Sequence, residues 1–160
     1  MGQVIDLAER IRPEHIRPVS GDYRRLDISR AFTWDEGILN TGPDGLYVVA
    51  FRSLRNLLSP PDRIATLLDL DHAAFEEAQT MPGFGMYHHD DSLSPEGEGL
   101  SFCMWAAIEH AKHAANQPRH REAVKYVRSD AGKVVYARYD VSAYQVNTSP
   151  EGVIFDRRAA

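Results

Sequence analysis

One cysteine, Cys103, in 160 residues excludes the disulfide-stapled scaffolds of small secreted proteins. A lone thiol has no internal partner, and a chain of this length buries a core without staples. No apolar run approaches the roughly 20 residues that cross a bilayer, so no membrane helix is expected. The opening Met-Gly-Gln-Val-Ile-Asp lacks the basic patch and long apolar stretch of a signal peptide. Asp6 also stands where a myristoylation motif takes Ser or Thr. Basic residues are scattered, and a net charge of −5 does not suit a nucleic-acid surface. Glycine-rich phosphate loops, a Gly-x-Ser-x-Gly elbow, paired metal-binding cysteines and a dinucleotide fingerprint are all missing. Nucleotide-dependent enzymes, serine hydrolases and zinc modules therefore drop out, leaving the expectation of a soluble, cytoplasmic, single globular domain.

What is present falls into an arm, a domain and a tail. Residues 1–44 differ from the rest: Val4, Ile5, Leu7, Ala8 and Ile11 recur at helical spacing until Pro13 stops them. Phe32 and Trp34 follow a charged Tyr23-Arg24-Arg25 patch and are costly to leave in water. An arm that docks on the main domain or on a partner subunit is one expectation, and a partly ordered tail is the other. The turn cluster Asn40-Thr41-Gly42-Pro43-Asp44-Gly45 opens the main domain, placed at 45–146, with a tail at 147–160.

Within that domain, β-branched and aromatic residues predict strands at 46–51, 84–89, 100–105 and 133–139. Ser59 as cap with Pro60 in the first helical position predicts a helix. Its apolar stripe is Ile64, Leu67, Leu68, Ala74, Phe75 and Ala78. Further helices are predicted at 106–116 and 118–128, a turn at 130–132, and an edge strand from Val153-Ile154-Phe155. The order strand, helix, strand, strand, helix, strand is the α+β, ferredoxin-like βαββαβ arrangement. Tyr47-Val48-Val49-Ala50-Phe51 and Phe102-Cys103-Met104-Trp105 are apolar on both faces, and two helices cover only one. A second copy of the sheet, packed face to face in a homodimer, is the economical cover for the other. The arm is the alternative cover for part of it.

Candidate chemistry rests on histidines and aromatics. His120 precedes Ala123 and Val124 by three and four residues, on the apolar side of its helix, where a half-buried imidazole suits a proton shuttle. A core histidine bonded to a carbonyl has the same pattern. His110 and His113 lie one turn apart, but a metal needs a third ligand, and a solvated helix face explains them better. In His88-His89-Asp90-Asp91 the alternation of a strand pairs His88 with Asp90 and His89 with Asp91 on opposite faces. Either pair can act as an acid–base couple, and the sequence does not say which faces the helices. Trp105 and Tyr87 are candidate walls for a flat ligand, with Phe75 and Cys103 completing the wall. Cys103 has no basic neighbour in sequence to make it a nucleophile. Tyr136, Tyr139 and Tyr144 are expected at a dimer interface.

Met81-Pro82-Gly83-Phe84, Ser101-Phe102-Cys103-Met104-Trp105 and Pro118-Arg119-His120-Arg121-Glu122-Ala123 resemble the dimeric α+β barrel superfamily, in particular its antibiotic-biosynthesis monooxygenase-like group. The resemblance covers about residues 45–145 and leaves the arm outside it. It implies a homodimer with a pocket in each subunit between sheet and helices. It also implies oxidation of flat aromatic metabolites by oxygen without metal or flavin. In the haem-degrading branch the histidine ligand falls at or near His120, but that branch's first-strand Asn has no counterpart in 46–51, and its helix Trp falls near Ala114. The expectation is therefore a cofactor-independent, monooxygenase-like enzyme for a small aromatic or apolar ligand. His120 is its base or acid, His88 or His89 the helper, and Trp105 and Tyr87 the walls. The alternatives are a haem-binding protein with His120 as axial ligand, or a non-catalytic structural dimer.

Overall fold

The computed structural model describes residues 6–90 and 92–159; Val4, Ile5 and Asp91 lie outside them. Five strands form one antiparallel sheet: β1 (Leu46–Arg55), β2 (Phe84–His88), β3 (Glu98–Trp105), β4 (Tyr136–Ser149) and β5 (Gly152–Arg158). Their order across the sheet is β2-β3-β1-β4-β5. The arm holds three single-turn helices, α1 (Leu7–Arg10), α2 (Ile28–Ala31) and α3 (Trp34–Gly37). Between strands come α4 (Pro61–Gln79), α5 (Ile108–Ala115), α6 (Pro118–Arg128) and α7 (Asp130–Val135). With β1 between β3 and β4, and both crossovers made by helices, the core is the ferredoxin-like α+β fold.

Local chemistry corrects several boundaries. Ser59 does not cap α4: its hydroxyl donates to the Asn56 carbonyl at 2.6 Å, and the helix starts at Pro61 with Pro60 before it. The segment expected to be a turn at 130–132 is the helix α7, because the Ser129 hydroxyl accepts the Gly132 N–H and closes its first turn. The last long strand therefore begins at Tyr136 rather than 133, and the tail from Gly152 is the edge strand β5. At the turn after α4, Gly83 has φ 76°, and a Cβ there would fall on the His110 ring. Only glycine meets both demands.

The register sorts residues by face. Val48 pairs with Met104 and Ala50 with Phe102, while Tyr47 pairs with Trp105 and Val49 with Cys103. On the first face Leu46, Val48, Leu100, Phe102, Met104 and Val146 have no exposed surface. The cover is the arm: Ile11, Ile16, Tyr23, Ile28, Ala31, Phe32, Trp34 and Ile38 pack there as one cluster with the sheet. Phe32 and Trp34 each reach the Phe102 ring at 4.9 Å, edge-on, and the indole N–H donates to the Ile28 carbonyl. Polar clasps hold the arm down. Arg24 makes a two-pronged pair with Asp90 at 2.7 Å, and Arg52 of β1 donates to the Arg24 and Leu26 carbonyls. The face reserved in the sequence reading for a partner's sheet is thus filled by the chain's own arm. Among the described residues, the apolar side chains that two sheets would bury between them are covered by the arm.

Candidate functional site

The other face lies under the helices and is covered unevenly. Toward one end it is packed: Trp105 and Tyr47 are buried, with Ala78, Met81, Phe84, Ile108, Ala111 and Ala114 around them. Toward the other, Val49, Phe51, Tyr87 and Cys103 keep accessible surface, and Tyr139 and Val141 are exposed. Leu67, Asp71 and Phe75 of α4 recur four residues apart, which turns one stripe toward these strands. The Phe75 ring lies 5.2 Å from Tyr87 and 6.2 Å from Phe84. An incompletely covered aromatic strip therefore lies between α4 and the strand floor, with one carboxylate, Asp71, set in an otherwise apolar stripe, and we read this strip as a candidate cleft.

Asp71 gathers the polar groups of this cleft. The Tyr87 hydroxyl lies 3.3 Å from each carboxylate oxygen, and His89 Nδ1 lies 3.3 Å from Oδ2 and 3.4 Å from the Tyr87 hydroxyl. Both His89 and Asp71 remain partly open to solvent. Burial and then the Asp71 charge push the Tyr87 phenol well above its usual range. The Tyr139 phenol is raised likewise, by burial of its hydroxyl end first, although the residue as a whole keeps exposed surface, and then by Tyr136 and Asp71. Burial also raises Tyr136, and Arg55 beside it acts in the opposite sense. The Cys103 thiol is pushed up to about 11 by burial, so it stays protonated and is no nucleophile at neutral pH. The cleft therefore holds neutral hydroxyl donors around one carboxylate and one imidazole. Such a set can take a proton from a ligand and donate hydrogen bonds to the oxygen where charge appears.

The candidate residues separate. Tyr87, His89, Phe75 and Cys103 share the cleft, and Trp105 sits in the packed end behind it, its N–H donating to Cys103 Sγ at 3.2 Å. His88 points to the opposite face, stacked on Phe102 at 5.6 Å and edge-on to Phe32 at 4.8 Å, beneath the arm. Asp90 is on that side too, paired with Arg24. His120 lies at the junction of α4 and α6, where the Glu77 carboxylate accepts the Arg119 and His120 backbone N–H groups and caps the helix. Burial lowers its pKa, with the Ala115 carbonyl and Glu77 acting the other way. The groups that act on His120 are Glu77 and the Ala115 carbonyl, at the ends of α4 and α5. Side chains pack the layer between α5 and the sheet next to this junction. Among the described residues no group of three or more His, Cys, Asp or Glu is placed to hold a metal, so His110 and His113 gain no third ligand. Tyr144 packs against Phe155 under the arm, whereas Tyr136 and Tyr139 lie 5.0 Å apart on the helix-covered side.

Asp71 and Arg55 were missed in the sequence. The signal for Asp71 was an acid at the fourth residue after Leu67 and the fourth before Phe75, inside an apolar stripe. A separate hollow of about 400 Å³ lies between arm and sheet, lined by Arg24, Arg25, Arg52 and Arg138. Its charges are engaged: Arg24 with Asp90, Arg25 with Glu98, Arg138 with Asp140, and Arg52 with backbone carbonyls. We read that hollow as the arm's fastening rather than as a ligand site.

These features define a class: a ferredoxin-like α+β domain with the fold of the antibiotic-biosynthesis monooxygenase-like proteins. Within it, the chain belongs to the PB2B2.08-like family, whose sequence profile matches residues 8–154 and so takes in the arm. A conserved protein from Methanosarcina mazei Go1 superposes with a TM-score of 0.51 at 11% identity, over 64% of this chain and 93% of its own. A candidate antibiotic biosynthesis monooxygenase from Nitrosomonas europaea gives 0.50 at 11% identity, over 64% and 90%. SnoaB from Streptomyces nogalater, described as a cofactor-independent oxygenase, gives 0.48 at 9% identity, over 66% and 97%. No curated protein matches the chain. No helix among the described residues is long and apolar enough to cross a membrane.

Proposed function

We propose that the protein is a small-molecule enzyme that removes a proton from a flat, largely apolar ligand held in the cleft between α4 and the sheet. The observation that carries this reading is the mutual contact of Asp71, His89 and Tyr87 at the edge of an aromatic floor. The ligand stacks on Phe75, Tyr87 and Phe51. The Asp71–His89 pair accepts the proton from a carbon next to a carbonyl, and the neutral Tyr87 hydroxyl donates to the enolate oxygen that results. In an oxygenase of this kind the carbanion itself reduces dioxygen. One oxygen atom replaces two hydrogens at the carbon, and the other leaves as water, so no resident metal or flavin is called for. Each chain carries a whole site, and pairing with a second copy leaves the arm in place.

Deuterium incorporation into 2-tetralone, followed by NMR beside oxygen uptake, tests the reading. Wild type should accelerate exchange, and His89→Gln or Asp71→Asn should lower that acceleration about 100-fold or more. His120→Gln should leave it within a few-fold. Neither exchange nor oxygen uptake across a panel of flat aromatic ketones, or full activity in His89→Gln, would remove this reading.

A further inference from the structure

Arg55 stands out among the charged groups of the helix-covered face. It ends β1, paired across the bulge with Tyr136 at the start of β4. Its guanidinium opposes the rise in the Tyr136 pKa that burial, and then the Asp71 charge, produce. Its Nε is buried and has no hydrogen-bond partner. No carboxylate among the described residues lies within ion-pair distance of it, whereas Arg24, Arg25, Arg119 and Arg138 each have one. A partly buried guanidinium with an idle donor is costly unless something anionic completes it.

Its position relative to the cleft gives that cost a purpose. Tyr136 lies 5.0 Å from Tyr139, and Tyr139 lies 6.4 Å from Phe51, so a row of rings runs from Arg55 into the cleft. The row is four residues of strand, or about 13 Å at ~3.3 Å per residue. Phe51 is level with Ser101. Tyr87 pairs with Cys103, which puts His89 near the same level. A ligand of two or three fused rings lying on this row reaches from the Asp71–His89 pair to the guanidinium.

We propose that Arg55 and Tyr136 form a subsite for the carboxylate of an aromatic acid, which makes the ligand a flat ring system with an acid at the end away from the reacting carbon. This rests on the cleft being the ligand site. A planar fork holds a carboxylate through two parallel N–H donors, and the phenol adds a third from the side. The acid thereby fixes which end of the rings meets Asp71.

Calorimetric titration of the full chain with 2-naphthoate, 2-naphthalenemethanol and 2-naphthyl phosphate tests the subsite. Wild type should bind the acid at least about tenfold more tightly than the alcohol, the strength expected of a charge-assisted pair. Arg55→Gln should erase that difference while leaving the alcohol's affinity alone, and Arg55→Lys should restore part of it. In wild type, added salt should weaken the acid and not the alcohol, a readout that stands if the variants do not fold. Equal affinities for acid and alcohol, tighter binding of the phosphate, unaltered acid binding in Arg55→Gln, or no binding of any probe overturns the proposal. His89→Gln should still discriminate acid from alcohol. Loss of the proton-transfer reading and loss of this subsite are therefore told apart.

Discussion

The two faces of one sheet have been put to different uses. Under the arm, six side chains from β1, β3 and β4 have no exposed surface, and rings interlock at close to 5 Å. Under the helices, equally apolar positions one residue away keep contact with solvent, and a carboxylate, an imidazole and several phenols sit among them. The strands alternate, so both faces arise from the same few residues. The covers differ. An arm laid flat follows the sheet and seals it, whereas a helix touches along one stripe and leaves a gap at its flank. Stability is invested on the first face, and the second is left only partly covered.

The sharpest break of this contrast is to delete residues 1–39. That strips the cover from Phe102 and its neighbours, and the truncated chain should form larger assemblies than the full chain, or aggregate, by light scattering. A folded truncated chain of unchanged assembly size would show that the face needs no cover. Next, Phe102→Ala should cost about 3–5 kcal/mol in denaturant unfolding, against about 1–2 kcal/mol for Phe51→Ala on the cleft floor. Equal losses would erase the distinction between the faces. Asp90→Asn, which leaves Arg24 without its partner under the arm, should cost about 3 kcal/mol.

Acidity sharpens the same contrast. Burial raises the Asp90 pKa, but Arg24, the Leu100 N–H and Tyr23 outweigh it and hold the carboxyl below its ordinary value. Its contribution to stability is present above the unfolded pKa, about 3.9, and is lost as pH falls through the lower folded value. Asp90→Asn should flatten the stability curve in that acid range. At the small end, the lowered pKa of His120 means that the unfolded chain takes a proton first. Stability should therefore decline as pH falls from about 6.5 toward the folded value, and His120→Gln should remove that shallow slope. A slope that persists in the variant belongs to another group.

The ferredoxin-like order was legible because each strand carries its own β-branched run and each helix its own period, both local properties. The docking of Phe32 and Trp34 was legible too, since two large rings near no other apolar cluster have few places to go. The face-to-face packing expected of a homodimer rested on a sound premise, that the second face must be covered, and the arm, the alternative cover, meets that need. Periodicity states that a face is apolar and is silent on which cover reaches it first. The site was harder to read. His120 had the right helical phase but turns to the helix–helix junction with Glu77, which no single-helix pattern reveals. His88 and His89 were indistinguishable until pairing of Tyr87 with Cys103 set the face of each.

From the residues alone follow the α+β class, the strand alternation that makes two apolar faces, an aromatic wall containing Tyr87 and Trp105, and an arm with something to bury. Folding in three dimensions decided which cover lies on which face, and it brought Asp71, His89 and Tyr87 into contact. The physical reason is range: spacing along a chain governs neighbours a few residues apart, while a cleft is built by groups that meet only after the sheet has closed.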